Sequence, residues 1–172
     1  MRRAYYIGCY YLSWLVFGLV GLLLNLLCLP LLLFPRRAAL APGVRGTIRA
    51  LFDLWTRWLH MCGVVRVEWH GFPTTPRPGT VYIANHPTLV DATCVLARLP
   101  NAVCIFKPAL MRNPAIGPAA IMAGYVAGDT GVDALRETAM KVAAGCSALV
   151  FPEGTRTAPG TVLGPLKSGF AL

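Results

Sequence analysis

His86 and Asp91 are the two side chains in this sequence best suited to proton transfer. They follow an apolar, β-branched run at residues 81–84, which predicts a buried strand, and Pro87 then favours the first turn of a helix. His86 is therefore predicted on a strand-to-helix turn. If it lies outside the helix, Asp91 can hold one imidazole nitrogen while the other accepts a proton. The alternative from this pair alone is a helix-capping histidine and a solvated aspartate.

Polar side chains also follow the other predicted strands, where each strand ends: Lys107, Asp129, and Glu153 with Arg156. Helical stretches of about ten residues alternate with these strands, which predicts an α/β domain with a mixed, largely parallel sheet flanked by helices. Ligand-binding and catalytic residues in such sheets cluster at the carboxyl ends of the strands. A further strand is predicted at residues 63–71, and we expect it to pair with the strand at 80–84. The next helix is predicted at residues 88–99.

The N-terminal part of the chain is predicted to enter a membrane. The sequence is 56% hydrophobic and 13% charged, and residues 4–35 contain no charged side chain. This run exceeds the roughly 20 residues that cross a bilayer, and it is too long for the apolar region of about 7–15 residues in a signal peptide. The predicted segment, residues 1–37, is either one helix or, because Pro30 can interrupt a helix, a re-entrant helix pair.

The net charge of +9 is concentrated beside this apolar run. The basic side chains that follow it are Arg36, Arg37, Arg45, Arg49 and Arg57. The positive-inside rule then places the main domain on the cytoplasmic side, with the basic flank against anionic lipids. No aromatic and basic signature of RNA binding is present, so we expect no nucleic-acid partner.

Residues 38–62 are predicted to form a linker, at 38–46, and an amphipathic helix that lies in the membrane interface or packs on the core. Residues 63–172 are predicted to form the α/β domain. The six cysteines show neither C-x-x-C pairs nor zinc-ligand spacing to a histidine. We therefore expect no metal site and a reducing compartment.

Two segments, Asn85-His-Pro-Thr-Leu-Val-Asp91 and Phe151-Pro-Glu-Gly-Thr-Arg156, resemble the paired H-x4-D and F-P-E-G-T-R signatures of the 1-acyl-glycerol-3-phosphate acyltransferase family. The resemblance covers residue 63 to the chain end. It implies a membrane-bound O-acyltransferase of phospholipid biosynthesis, at the cytoplasmic face of a bacterial inner membrane. The implied donor is acyl-CoA or an acyl carrier protein thioester, with no other cofactor, and the implied acceptor is a lysophospholipid, first of all lysophosphatidate.

The resemblance also implies roles for individual residues. His86 would deprotonate the acceptor hydroxyl, and Asp91 would orient His86 and stabilise the imidazolium. The substrate-binding residues would be Lys107, Glu153, Gly154, Thr155 and Arg156. Arg156 would bind an anionic head group, and Glu153 would hold Arg156 or a neighbouring amide.

The sequence departs from the family pattern at two places. The middle motif commonly ends in an arginine, where this chain has Gly124-Tyr-Val-Ala-Gly-Asp-Thr-Gly131, and the chain stops before the usual fourth motif, which suggests a C-terminal truncation. The missing arginine keeps open the acylation of a non-phosphate acceptor, such as an amino-acid lipid, a glycolipid or a pigment head group. A catalytically silent lipid-binding protein is the alternative from a different class.

Overall fold

The computed structural model of this chain describes residues 2–88, 90–128, 131–154 and 156. Two long helices come first, and short strands then alternate with helices. The elements are α1 (Arg2–Leu31), α2 (Ala41–Met61), β1 (Val81–Ile83), α3 (Val90–Arg98), β2 (Ala102–Phe106), α4 (Pro108–Met111), α5 (Gly117–Met122), β3 (Val126–Ala127), α6 (Val132–Ala143) and β4 (Ser147–Val150). The predicted α/β architecture is confirmed.

The described strands form a parallel sheet in the order β1-β4-β2-β3. Ala148 of the inner strand β4 pairs with Val81 on one side and Val103 on the other. All residues of β4 are buried, whereas Val81 and Ile83 of the edge strand β1 are exposed. Because the strands are parallel, β1 and β4 deliver the segments that follow them to the same edge of the sheet.

The prediction of a strand at residues 63–71 is wrong. These residues form no strand in the structure, and β1 pairs with β4 instead. The segment packs through its aromatic rings: Trp69 meets Phe72 edge to face at 5.1 Å between centroids, and Phe72 stacks on Tyr82 of β1 at 6.2 Å. This segment therefore contacts the sheet through aromatic side chains and not through backbone hydrogen bonds to an edge strand.

The linker predicted at residues 38–46 is also wrong. A 3-10 helix spans Arg37–Leu40, and α2 begins directly after it at Ala41. Pro42 occupies the first turn of α2, where a missing backbone N–H costs nothing. The predicted amphipathic helix is therefore the later part of a longer one. It packs its buried side chains Ile48, Trp55 and Leu59 against the rest of the molecule.

Helix α1 is continuous from Arg2 to Leu31, with Pro30 in its last turn, so the alternative of a helix pair within this segment is not what the structure shows. It is long and apolar enough to cross a bilayer, with a mean hydropathy of 2.3. It is also docked on the domain. The Trp55 indole N–H donates to the backbone carbonyl of Ser13 at 3.0 Å, and the side-chain Oδ1 of Asn25 accepts from the Ala119 N–H of α5 at 2.9 Å.

Candidate active site

His86 follows β1 at the carboxyl edge of the sheet. Its imidazole stacks on the ring of Phe151, which follows the neighbouring strand β4, with 4.3 Å between ring centroids and 24° between planes. Its backbone N–H donates to Glu153 Oε1 at 3.3 Å, and Glu153 is buried, with 6% of its surface exposed. The pairing of β1 with β4 thus brings the two sequence motifs together, since each motif begins where one of these strands ends.

Asp91 belongs to a capping box at the start of α3. Its Oδ2 accepts the backbone N–H of Thr88 at 2.6 Å, and its Oδ1 accepts the Thr88 hydroxyl at 2.7 Å. The Thr88 hydroxyl in turn accepts the N–H of Val90 at 3.2 Å. Through these reciprocal bonds Thr88 acts as the capping residue that precedes the helix. Helix α3 therefore begins at Val90 and not at Thr88, where it was predicted to begin.

The structure brings His86 and Asp91 together because His86 lies outside the helix and Asp91 lies in its first turn. His86 Nδ1 is 3.5 Å from Asp91 Oδ2, and both side chains are 23% exposed. This distance exceeds the usual 2.7–3.2 Å of an N–H···O bond, and the buried Nδ1 atom has no hydrogen-bond partner among the described residues. Catalytic hydrogen bonds in ligand-free structures are often this long and shorten when substrate binds.

A cavity of about 1110 Å³ opens beside His86. Its wall is mainly apolar and comes from α1 and α2, from α3 and from the sheet, with Phe17, Trp55, Leu96 and Ile105 as examples. Burial raises the pKa of the Cys104 thiol in this wall to about 12 and also raises the pKa of Tyr125. Both shifts have the same main cause, since desolvation penalises the charged form of each group.

The predicted substrate-binding residues fall in different places. Lys107, Gly154 and Arg156 line the cavity together with His86, and both cationic side chains are exposed to solvent. Glu153 instead accepts a hydrogen bond from the backbone N–H of His86. Thr155, like the strand-end residue Asp129, lies outside the described residues. Within the described part of the chain, no group of three or more His, Cys, Asp or Glu side chains is placed to hold a metal ion.

Two neighbours of His86 and Asp91 were not predicted as site residues. Thr88 could have been found from the sequence, because Thr88-Leu-Val-Asp91 has the spacing of a capping box. Phe151 opens the second sequence motif, but its residue type did not predict contact with His86, since an apolar residue at the end of an apolar strand is normally part of the core. Its contact with His86 depends on the pairing of two strands that are far apart in sequence.

Comparison with known proteins identifies the family. The Acyltransferase family model matches residues 66–172. The chain is 26% identical over 171 residues to a 1-acyl-sn-glycerol-3-phosphate acyltransferase from Cocos nucifera, covering 95% of this chain and 52% of that protein. It is 32% identical over 111 residues to the chloroplastic 1-acyl-sn-glycerol-3-phosphate acyltransferase BAT2 from Brassica napus, covering 60% of this chain and 32% of that protein.

The fold agrees with a solved structure. The crystal structure of the 1-acyl-sn-glycerophosphate (LPA) acyltransferase PlsC from Thermotoga maritima superposes with a TM-score of 0.71 at 24% sequence identity, over 98% of this chain and 68% of that one. The chain spans about half the length of the coconut relative and about a third of the rapeseed one. With the family model covering residues 66–172 and both sequence motifs meeting at one edge of the sheet, the chain belongs to the Acyltransferase family.

Proposed function

We propose that this chain carries the catalytic centre of a lysophospholipid O-acyltransferase, with lysophosphatidate as the first acceptor to test. The observation that carries the proposal is the position of His86, which lines a large apolar cavity and has Asp91 on its Nδ1 side. A base beside an apolar cavity suits the transfer of a fatty acyl chain to a hydroxyl. The sequence similarity to proteins named 1-acyl-sn-glycerol-3-phosphate acyltransferases supports the same acceptor class.

In the proposed reaction, the Nε2 atom of His86 takes the proton of the acceptor hydroxyl as its oxygen attacks the thioester carbonyl. A C–O bond forms, the C–S bond breaks, and the thiolate leaves with the proton that His86 has taken up. Asp91 would hold the proton on Nδ1 and stabilise the imidazolium. No acyl-enzyme is required, because the hydroxyl attacks the donor directly. The products are the ester and a free thiol, of CoA or of an acyl carrier protein.

We assign the two ends of the substrates by their chemistry. The apolar cavity would bury an acyl chain, since removing its surface from water is favourable. Lys107 and Arg156 would bind an anionic head group, and the planar fork of Arg156 suits a phosphate. The missing arginine in the segment 124–131 is the observation that favours a second acceptor class without phosphate.

We also propose that α1 and α2 enter one face of a membrane together. Ser13 and Asn25 hold α1 against the domain, so α1 does not stand alone as an independent span. Exposed apolar side chains continue from α1 onto α2, including Leu15, Leu19, Leu23, Leu27, Leu33, Leu54 and Met61. A surface of this kind suits the acyl region of a bilayer, with the arginines at the head groups. The cytoplasmic face of a bacterial inner membrane remains the predicted location.

The test measures acyl transfer by purified protein in mixed micelles, with labelled acyl-CoA or acyl carrier protein as donor. A panel of lysophosphatidate, other lysophospholipids and non-phosphate lipids serves as acceptors. His86→Ala should lower kcat by about 10² to 10⁴-fold, the usual contribution of a general base. His70→Ala is the matched control, because His70 is exposed and contacts Glu68. Unchanged turnover in His86→Ala would overturn the proposal.

The same panel tests the two other functions. Strong loss with Arg156→Ala on lysophosphatidate but not on neutral acceptors supports a phosphate site. Transfer to neutral lipids alone would favour the second acceptor class. Liposome binding without any consumption of thioester would favour a silent lipid-binding protein.

A further inference from the structure

We propose that Thr88 is a positioning residue that fixes the Asp91 carboxylate in the orientation that His86 requires, an inference that rests on the proposed acyl transfer. Thr88 stands between His86 and Asp91 in the sequence and makes hydrogen bonds to both carboxylate oxygens of Asp91. Two bonds to two oxygens define the plane of a carboxylate, whereas one bond leaves it free to rotate.

The direction of each bond follows from the chemistry of the groups. The N–H of Val90 can only donate, so the Thr88 hydroxyl accepts there. The ionised carboxylate of Asp91 can only accept, so the same hydroxyl gives its single proton to Oδ1. The Thr88 hydroxyl is therefore a hydrogen-bond relay with a fixed direction, from the backbone of α3 to the carboxylate.

The second carboxylate oxygen of Asp91, Oδ2, is the one that faces His86. Asp91 Oδ2 accepts the Thr88 N–H at 2.6 Å and is also the oxygen that lies 3.5 Å from His86 Nδ1. A carboxylate oxygen has two lone pairs and can accept both donors. Thr88 thus holds Oδ2 in place before the imidazole engages it, and only a small shift of His86 is needed to form the bond. The acceptor is oriented in advance, which is the usual source of catalytic precision.

A plain helix cap would use the same bonds, so the experiment has to separate the two roles. Glycine is nearly as good as threonine at a capping position, yet it has no hydroxyl. A capping role therefore predicts that Thr88→Gly behaves almost like the unsubstituted protein. A positioning role predicts that Thr88→Gly and the isosteric Thr88→Val share the same defect, and that Thr88→Ser, which keeps the hydroxyl, restores function.

The first readout is steady-state kinetics of the full chain in micelles with the best acceptor. We expect kcat to fall on the order of 10- to 100-fold in Thr88→Val and Thr88→Gly, the range expected when a catalytic group is misplaced. KM should stay nearly unchanged, because Thr88 does not line the cavity, and Thr88→Ser should stay within a few-fold. Equal activity of Thr88→Gly and the unsubstituted protein would overturn the proposal.

The second readout does not depend on activity. Nitrogen NMR of labelled histidine reports the tautomer of each of the three imidazoles, and the His86 signals are those that disappear in His86→Ala. An oriented Asp91 favours the tautomer with its proton on Nδ1. We expect Thr88→Val and Thr88→Gly to shift His86 toward the Nε2–H tautomer, as Asp91→Asn does, and to add no shift in the Asp91→Asn background.

These two readouts distinguish failure of the inference from failure of the proposed function. If the unsubstituted protein transfers no acyl group to any acceptor but the tautomer responds to Thr88, the proposed function is wrong and the positioning role stands. If transfer occurs and the His86 tautomer is the same in Thr88→Val, Thr88→Gly and Thr88→Ser, the positioning role is wrong. A Thr88 effect that persists undiminished in Asp91→Asn also overturns it, because Thr88 would then act by another route.

Discussion

The molecule buries polar side chains in two different ways, at the docking of α1 and at His86. On α1, the hydroxyl of Ser13 accepts the Trp58 indole at 2.9 Å, and Asn25 both donates to Gly21 and accepts from Ala119. At His86, the buried Nδ1 atom has no hydrogen bond among the described residues, although an acceptor lies 3.5 Å away. Buried polar atoms are normally paired, and one that is not requires an explanation, of which a catalytic role is one.

The two regions differ in whether their buried polar atoms have complete hydrogen bonds. We associate complete bonds with a structural role and the incomplete bond at His86 with the proposed catalytic role. Satisfied contacts on α1 fix one element against another, so their loss should lower stability. In the proposed reaction, the long contact between His86 and Asp91 would shorten when substrate binds, so changes there should lower kcat at nearly constant stability.

The largest expected effect is that of Asp91→Asn on catalysis. The single oxygen of an asparagine amide can accept only one of the two Thr88 bonds, which is a small loss at this exposed helix cap. The amide cannot stabilise the imidazolium and can favour the wrong tautomer of His86. In a Ser-His-Asp triad the same change lowers kcat about 10⁴-fold, and we expect a loss approaching that size with little change in the unfolding temperature. Steady-state kinetics and thermal unfolding in the same micelles measure both.

The control for this prediction is Asp53→Asn, which removes a charge from α2 that pairs with Arg57 at 2.8 Å, away from His86. Both variants lose one carboxylate, so a general effect of charge would appear in each. A drop in kcat for Asp53→Asn as large as that for Asp91→Asn would contradict the role of Asp91, as would full activity of Asp91→Asn.

The next effect in size concerns α1. Asn25→Leu leaves the buried N–H of Ala119 without its acceptor, which costs about 1–3 kcal/mol of unfolding free energy. We expect a lower unfolding temperature and an unchanged kcat for the protein that remains folded, with any effect on substrate binding confined to KM because Asn25 also lines the cavity. Leu26→Ala is the matched control, because Leu26 is the next residue and is 57% exposed. If Asn25→Leu lowers kcat and not the unfolding temperature, the division between the two regions fails.

The sequence was sufficient to predict the elements that bear directly on the site. The strand before His86 and the turn after it follow from local composition, but the prediction that this strand is buried was wrong, because β1 is an edge strand with Val81 and Ile83 exposed. The carboxyl-edge rule for parallel sheets then predicts which polar side chains meet. Lys107 and Arg156 line the same cavity as His86, as that rule leads one to expect. The strand and the turn could be predicted from a few neighbouring residues, and the meeting of the polar side chains from the rule that parallel strands end at one edge of the sheet.

The errors came from interactions between distant residues. Residues 63–71 alternate like a strand, but the rings of Trp69 and Phe72 pack on the sheet face, and alternation alone does not distinguish these two outcomes. The proline and glycines of residues 38–46 suggested a linker, whereas a proline in the first turn is compatible with helix α2. The 3.5 Å gap between His86 and Asp91 depends on side-chain geometry, which no sequence pattern specifies.

The smallest predicted effect concerns the stacking of the His86 imidazole on the ring of Phe151. In the proposed reaction His86 takes up a proton, and positive charge then develops on an imidazole whose centroid lies 4.3 Å from that of the Phe151 ring. An aromatic face stabilises such a cation, and aromatic pairs contribute about 0.5–1.5 kcal/mol. Phe151→Leu should therefore lower kcat about 2- to 10-fold, while Phe151→Tyr, which keeps the ring, should not.

Phe106→Leu is the control that isolates this contact. Phe106 also lines the cavity, but its ring packs against Tyr125. The two leucine variants remove the same ring from the same cavity, and only one removes it from His86. A loss of kcat confined to Phe151→Leu assigns the effect to the imidazole. Equal losses of kcat in Phe151→Leu and Phe106→Leu would mean that the two rings act only through the shape of the cavity. The stacking of Phe151 on His86 would then have a structural role, like the contacts of α1.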